Sequence, residues 1–133
     1  MILIGLNDAQ KKAVLTTEGP LLIVAGAGAG KTKTVVHRIA HIVSTGVSAS
    51  QILAVTFTNK AAKEMRERAI ALLKETANTS DRSIPFISTF HSLGVFLLRR
   101  FGAYNGSVKR FTILDDGDTT ALIKEALQSM GLD

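Results

Sequence analysis

The sequence contains no cysteine, no tryptophan and only two prolines among its 133 residues. The absence of cysteine excludes a disulfide framework, a thiolate metal site and a cysteine nucleophile. No apolar run reaches the roughly 18 residues of a membrane-spanning helix. The longest run, from Pro20 to Gly30, is broken by glycines and meets Lys31. The first six residues have no basic lead of the kind that begins a signal peptide. We therefore expect a cytoplasmic protein without a membrane segment, large enough for one domain.

Acidic residues are scarce in most of the chain and concentrated towards its end. Residues 1–110 hold 15 Lys and Arg against 6 Asp and Glu, a net charge of +9. Residues 111–133 hold one lysine against five acidic residues, a net charge of −4. A basic body can attract a polyanion such as nucleic acid, but an ordinary basic soluble domain has the same balance. Charge alone leaves both interpretations open.

Apolar periodicity predicts alternating strands and helices. Short apolar runs predict buried strands at Leu21–Ala25, Gln51–Phe57 and Pro85–Thr89. The predicted helices are a short one capped by Asn7 or Asp8, then Lys31 to about Gly46, Asn59 to Glu75, His91 to Arg100, and one capped by Asp115 or Asp116. This alternation predicts an α/β domain with a parallel sheet, in which ligands bind beyond the carboxyl ends of the strands.

The strongest motif is a glycine-rich run between an apolar strand and an apolar-faced helix, Ala25-Gly26-Ala27-Gly28-Ala29-Gly30-Lys31-Thr32. Glycines let backbone N–H groups surround phosphate oxygens, and the helix N-terminus adds partial positive charge. Lys31 would reach the β- and γ-phosphates of a nucleoside triphosphate, and the Thr32 hydroxyl would bind Mg²⁺. The run has the relaxed form of a P-loop, because Ala25 stands where the strict pattern has glycine. A turn of small residues made only for packing would not explain the ending Gly-Lys-Thr.

Two predicted strand ends carry mixtures of aromatic and polar side chains. The residues concerned are Thr56, Phe57, Thr58 and Asn59 after the second strand, and Thr89, Phe90 and His91 after the third. An aromatic face for a base, with hydroxyl and amide groups for phosphates, suits a single strand of nucleic acid. The competing interpretation places Phe57 in the core and makes Thr58 or Asn59 a helix cap.

Four polar side chains, those of Gln10, His37, His41 and His91, have competing interpretations. Gln10, upstream of the glycine-rich run, can pair with an adenine edge or can be an ordinary solvated helix residue. His37 and His41 lie one helical turn apart, as in some metal sites, but the sequence offers no third ligand. His91 could be a metal ligand or a general base, but no second histidine or acidic cluster lies near it in sequence, which favours a backbone or phosphate contact.

Taken together, these segments resemble the UvrD/PcrA/Rep type of superfamily 1 DNA helicase. The resemblance covers Leu6 to about Leu127. It rests on four segments in the family's order and spacing, Leu6–Gln10, Ala25–Thr32, Leu53–Arg68 and Ser88–Leu93. It implies a RecA-like P-loop NTPase fold. It also implies an ATP-driven translocase that moves 3′ to 5′ along single-stranded DNA and separates the duplex at junctions.

The resemblance also implies roles for single residues. Gln10 would read adenine, Lys31 would bind the phosphates and Thr32 the Mg²⁺, while the seven strand-end residues would face the DNA. Two positions depart from the family pattern. Lys33 stands where an arginine usually lies near the base, and a lysine cannot stack as a planar group. Gly94 stands where cysteine is common.

The resemblance places the hydrolytic groups outside these 133 residues. An acidic magnesium-binding pair, a coupling glutamine and arginine fingers of a second motor domain would all lie downstream. Asp115 and Asp116, after the apolar stretch 111–114, could imitate the acidic pair but also suit a helix cap. We expect residues 1–108 to be the first half of motor domain 1A and residues 109–133 to begin helical subdomain 1B. The remainder of the helicase would be their partner, and the piece alone would hydrolyse essentially no ATP.

Two alternatives from other classes stay open. One is a compact P-loop phosphotransferase of the nucleoside-kinase kind, in which Arg99 and Arg100 would serve as the mobile basic lid. The other is a non-catalytic module that binds nucleotide or single strands. The sequence does not determine the oligomeric state.

Overall fold

The computed structural model describes residues 2–76, 83–102, 111–114 and 116–132. Within these residues the chain forms five α-helices and two strands. They are α1 (Asp8–Leu15), α2 (Lys31–Ser44), β1 (Leu53–Thr56), α3 (Asn59–Thr76), β2 (Phe86–Thr89), α4 (Phe90–Phe101) and α5 (Asp116–Ser129), with a 3-10 turn at Ala49–Gln51 before β1. The predicted α/β class is confirmed.

The chain divides into two compact units, Met1–Gly94 and Val95–Asp133. The boundary expected between residues 108 and 109 falls on residues outside the described part of the chain and stays a prediction. None of the described helices is long and apolar enough to cross a membrane.

Helix α1 begins at a reciprocal cap. The Asn7 side-chain oxygen accepts the Gln10 backbone N–H at 2.9 Å, and the Gln10 side-chain oxygen accepts the Asn7 N–H at 3.0 Å. This capping box satisfies two donors that a helix start leaves without partners, and it confirms Asn7 as the predicted cap. At the other end, the Arg38 guanidinium on α2 donates to the carbonyls of Ala13 and Thr16. A cation beside the last carbonyls of a helix is favourable.

The core of the first unit lies where α2 and α3 pack together and α3 covers both strands. Its central cluster comprises Val36 and Ile39 from α2, Met65 and Ala69 from α3, and Ile87 from β2. A second cluster comprises Ala40, Val43, Ala49 and Leu73. The spacing of three and four residues along both helices produces one apolar stripe on each, as the sequence predicts.

The two strands pair in parallel, with a register that runs from Leu53 opposite Phe86 to Thr56 opposite Thr89. The Phe86 N–H donates to the Ile52 carbonyl at 2.9 Å and extends the ladder by one bond. Because the register is unshifted, both strands end at the same level. The residues that follow them are therefore neighbours at the carboxyl edge of the sheet.

Two strand predictions need correction. The run Leu21–Ala25 forms no strand in the structure, and Leu22 and Val24 are 86% and 88% exposed. A strand is defined by its ladder to a neighbour, and β1 and β2 pair only with each other among the described residues. The predicted buried strand Gln51–Phe57 is shortened to β1, with Gln51 in the 3-10 turn. Leu53 is 54% exposed, because α3 covers only part of the strand.

The second unit is built around the end of α4 and the whole of α5. The Arg99 guanidinium lies over the Phe111 ring, 5.9 Å from its centroid, in a cation–π contact. Helix α5 begins at Asp116 and carries Asp118 in its first turn, where negative charge is favourable. Asp116 is thus a helical residue rather than a cap, and Asp115 lies outside the described residues. The exposed apolar side chains of this unit include Leu98, Phe101, Ile123 and Met130.

We predict that Ile87→Val lowers the free energy of unfolding of the chain by about 0.5–1.5 kcal/mol. Ile87 is 1% exposed at the centre of the main cluster, so the lost methyl group leaves a space that its neighbours cannot fill. Urea denaturation followed by circular dichroism measures the effect. Leu22→Ala is the matched control and should leave the midpoint nearly unchanged. An equal loss in both variants would contradict the core assignment.

Candidate functional site

Residues 25–30 of the glycine-rich run form a mostly exposed loop, and Lys31 and Thr32 begin α2. The Ala29 N–H donates to the Gly26 carbonyl at 3.3 Å, which closes a tight turn. Gly28 and Gly30 have φ angles of 75° and 78°, in the left-handed region that residues with a Cβ atom rarely adopt. Gly30 is the N-cap of α2 and brings no side chain to bond the first N–H groups of the helix. These backbone donors suit an anion.

A lysine ammonium lies over the same loop. Lys31 Nζ donates to the Ala25 carbonyl at 2.9 Å and to the Gly26 carbonyl at 2.6 Å. Thr32 follows in the first turn of α2 and is partly exposed. The structure therefore brings together glycine backbone, ammonium and hydroxyl groups, which is the donor set that a Mg²⁺-bound triphosphate requires.

Gln10 contacts this loop from helix α1. Its side-chain nitrogen donates to the Ala29 carbonyl at 3.0 Å, across 19 residues of sequence. A Cβ atom added to Gly30 would lie 2.8 Å from the same nitrogen, closer than real Cβ contacts allow. Gln10 is therefore more than an ordinary solvated helix residue, because its side chain both caps α1 and contacts the loop. Its predicted contact with adenine stays a prediction.

Lys33 points to the N-terminal turn that precedes α1. Its Nζ donates to the Gly5 carbonyl at 2.7 Å, and Gly5 has a φ of 73°. One helical turn later, His37 Nδ1 contacts the Ile2 carbonyl at 2.5 Å. A cavity of about 550 Å³ opens beside this turn and is lined by residues 2–6 and Lys11. Sequence reasoning missed this attachment. The signal that could have found it is the pair Lys33 and His37, which lie one helical turn apart on α2.

The described residues contain no group of three His, Cys, Asp or Glu side chains that could hold a metal ion. In the structure, His37 contacts the Ile2 carbonyl. Asp116, one of the two residues that could imitate the acidic magnesium-binding pair, lies in the first turn of α5 in the second unit.

Two aromatic rings follow the paired strands. Phe57 comes after β1 and is 90% exposed, while Phe90 comes after β2 and is 55% exposed. Their ring centroids lie 5.8 Å apart with the planes inclined at 50°, a favourable tilted pair. The competing interpretation that Phe57 is a core residue is wrong. An exposed aromatic pair at the edge of a sheet offers faces on which planar groups can stack.

The polar residues beside these rings divide into two sets. Thr56 and Thr89 are buried, and their hydroxyls donate internally, to the Thr58 carbonyl at 3.1 Å and to Ser92 Oγ at 2.9 Å. Thr58 Oγ accepts the Ala61 N–H at 3.1 Å, so this hydroxyl caps α3 as one interpretation of the sequence predicted. The remaining polar side chains of the seven strand-end residues, those of Asn59 and His91, are exposed.

Comparison with known proteins identifies what the chain resembles. Residues 6–133 match the family model described as "UvrD/REP helicase N-terminal domain". The chain is 52% identical over 130 residues to the ATP-dependent DNA helicase PcrA of Leuconostoc citreum. It is 48% identical over 130 residues to PcrA of Staphylococcus epidermidis and 46% identical over 129 residues to PcrA of Staphylococcus aureus strain Mu50.

These alignments cover 96–97% of the chain but only 17% of each relative. The chain therefore spans about a sixth of the length of the curated relatives that it matches.

We predict that alanine substitutions in the loop separate backbone strain from side-chain contact. Gly30→Ala should lower the free energy of unfolding by more than the roughly 1–2 kcal/mol of a left-handed alanine, because the new methyl group also meets Gln10. Gly28→Ala should show the strain alone, since nothing lies within 4 Å of its added Cβ. Gly26→Ala, with neither strain nor contact, is the control, and urea denaturation ranks the three. Equal effects at residues 26 and 30 would contradict the loop geometry.

Proposed function

The chain belongs to the UvrD/REP helicase family, and we propose that it is the ATP-binding portion of an ATP-dependent DNA helicase. The helicase would translocate 3′ to 5′ on single-stranded DNA. One observation carries the proposal: the glycine-rich loop holds two left-handed glycines and the Lys31 ammonium at the start of α2, in a chain whose relatives are named ATP-dependent DNA helicases.

The loop is proposed to be a P-loop in a RecA-like fold. Its backbone N–H groups and the Lys31 ammonium would bind the triphosphate of ATP. Lys31 can exchange its two neutral carbonyl acceptors for charged phosphate oxygens, which accept more strongly. The Thr32 hydroxyl would hold Mg²⁺, which when bound neutralises charge on the phosphates. Gln10 and Lys33 are proposed to lie on the adenine side of the same site.

The DNA interface is proposed to lie at the carboxyl edge of the sheet. Phe57 and Phe90 present exposed rings on which bases can stack, and stacking tolerates any sequence. The exposed Asn59 and His91 side chains and the helix start capped by Thr58 supply donors for phosphates. The buried residues Thr56 and Thr89 would set the positions of the two rings without themselves contacting the DNA.

The rest of the helicase chain is the proposed partner of these residues. Residues 1–108 would form the first half of motor domain 1A, and residues 109–133 would begin subdomain 1B in a cytoplasmic enzyme. The exposed side chains of Leu22 and Val24 support this assignment, because an apolar run of strand-forming residues is stable in water only when it is covered.

We predict that the natural full-length protein hydrolyses ATP when single-stranded DNA is added, and that Lys31→Ala lowers this rate roughly 100-fold or more. The reason is the loss of a cation that stabilises transition-state charge. A coupled phosphate-release assay measures the rate, and Lys12→Ala on the exposed face of α1 is the matched control. Hydrolysis by residues 1–133 alone, with Asp116 essential, would instead support the compact phosphotransferase.

We predict that Phe57→Ala weakens binding of a fluorescent oligo-dT strand by about 1–3 kcal/mol, the contribution of one base–aromatic stack. The salt dependence of the affinity should stay the same, because the removed ring carries no charge. Fluorescence anisotropy at several salt concentrations measures both quantities. Phe101→Ala, an exposed ring at the end of α4, is the control. An unchanged affinity of Phe57→Ala for oligo-dT would contradict the proposed DNA interface.

A further inference from the structure

The carboxamide of Gln10 makes two contacts that point in different directions. Its oxygen accepts the Asn7 N–H at 3.0 Å and belongs to the cap of α1. Its nitrogen donates to the Ala29 carbonyl at 3.0 Å and belongs to the glycine-rich loop. One side chain thus joins the start of α1 to the turn that precedes α2.

The position of Gln10 is itself well supported. Helix α1 packs against α2, and Arg38 of α2 donates to the carbonyls of Ala13 and Thr16. Val14 of α1 is fully buried. The capping box holds the carboxamide oxygen of Gln10 in place. The side-chain nitrogen is therefore presented to the loop by a rigid element rather than by a free side chain.

The contact acts on the backbone that is proposed to bind phosphate. The Ala29 carbonyl and the Gly30 N–H belong to one planar peptide unit, in which they point in opposite directions. Holding the carbonyl towards Gln10 therefore turns the Gly30 N–H away from Gln10. Only glycine at residue 30 leaves room for this arrangement, since an added Cβ would lie 2.8 Å from the amide nitrogen.

We propose that Gln10 is a positioning residue for the phosphate-binding backbone, which it orients through the Ala29–Gly30 peptide. This inference rests on the proposed function of the loop. This role does not replace base recognition. The Gln10 nitrogen carries two hydrogens, and the Ala29 carbonyl accepts only one of them, so the same side chain can serve both roles. A residue that reads only adenine affects nucleotides, whereas a residue that orients the loop also affects a triphosphate that has no base.

The test compares the binding of Mg²⁺–tripolyphosphate with that of Mg²⁺–ATP by isothermal titration calorimetry, in the natural full-length protein. Gln10→Met removes both carboxamide contacts at similar side-chain length. It should weaken tripolyphosphate binding roughly three- to tenfold, the range expected for one neutral hydrogen bond, and ATP binding at least as much. Asn7→Ala is the matched control, since it removes the other half of the capping box and leaves the Gln10–Ala29 contact. It should change tripolyphosphate binding less than about twofold.

Three outcomes would overturn a specific part of this argument. Wild-type tripolyphosphate affinity in Gln10→Met, with ATP affinity lost, would leave Gln10 as a reader of the base only. An equal loss in Asn7→Ala would assign the effect to the stability of α1. Failure of the wild-type protein to bind either ligand would overturn the proposed function itself.

If Gln10→Met does not fold, as judged by its thermal unfolding curve, Gln10→Glu replaces it. Glutamate keeps the capping-box acceptor but faces the Ala29 carbonyl with an oxygen instead of a donor. The affinity is then measured in high salt, where charge repulsion is screened and the lost hydrogen bond is not. Retention of wild-type tripolyphosphate affinity in this variant would also overturn the positioning role.

Discussion

Helix α2 is the element on which the rest of the first unit depends. Its first turn completes the glycine-rich loop, and its apolar stripe, including Val36 and Ile39, packs against α3. Its basic side chains hold the preceding residues, through the contacts of Lys33 with Gly5 and of Arg38 with α1. A loop of small residues makes few side-chain contacts of its own. Its shape therefore depends on α2, which follows it, and on α1, which packs against α2.

The unshifted parallel register of the two strands is the second constraint. It places the residues after β1 and β2 side by side, so that Phe57 and Phe90 form an exposed pair. The buried hydroxyls of Thr56 and Thr89 satisfy local polar groups at the ends of the strands. Their bonds stabilise the abrupt change from strand to helix. The exposed rings that follow have the geometry that the proposed DNA interface needs.

Much of the site could be predicted from the sequence because its features are local. The P-loop pattern, the cap at Asn7 and the amphipathic stripe of α3 depend on residues at most a few positions apart. The exposed aromatic pair could be predicted only in part, because an aromatic residue at the end of a strand suits the core as well as the surface. The strand predicted at Leu21–Ala25 is wrong for the described structure, since strand formation requires a partner that local propensity does not supply.

From the sequence alone one could predict that the chain has these five helices, which residues form the loop and which family the chain resembles, because these depend on local bonding and on the order of short motifs. Three contacts became visible only in the folded chain: Gln10 bonds the Ala29 carbonyl, Lys33 bonds the Gly5 carbonyl, and the rings of Phe57 and Phe90 pair. Each of these contacts joins residues at least 19 positions apart. Such contacts arise from the packing of α1, α2 and the strands, which no pattern along the chain encodes directly.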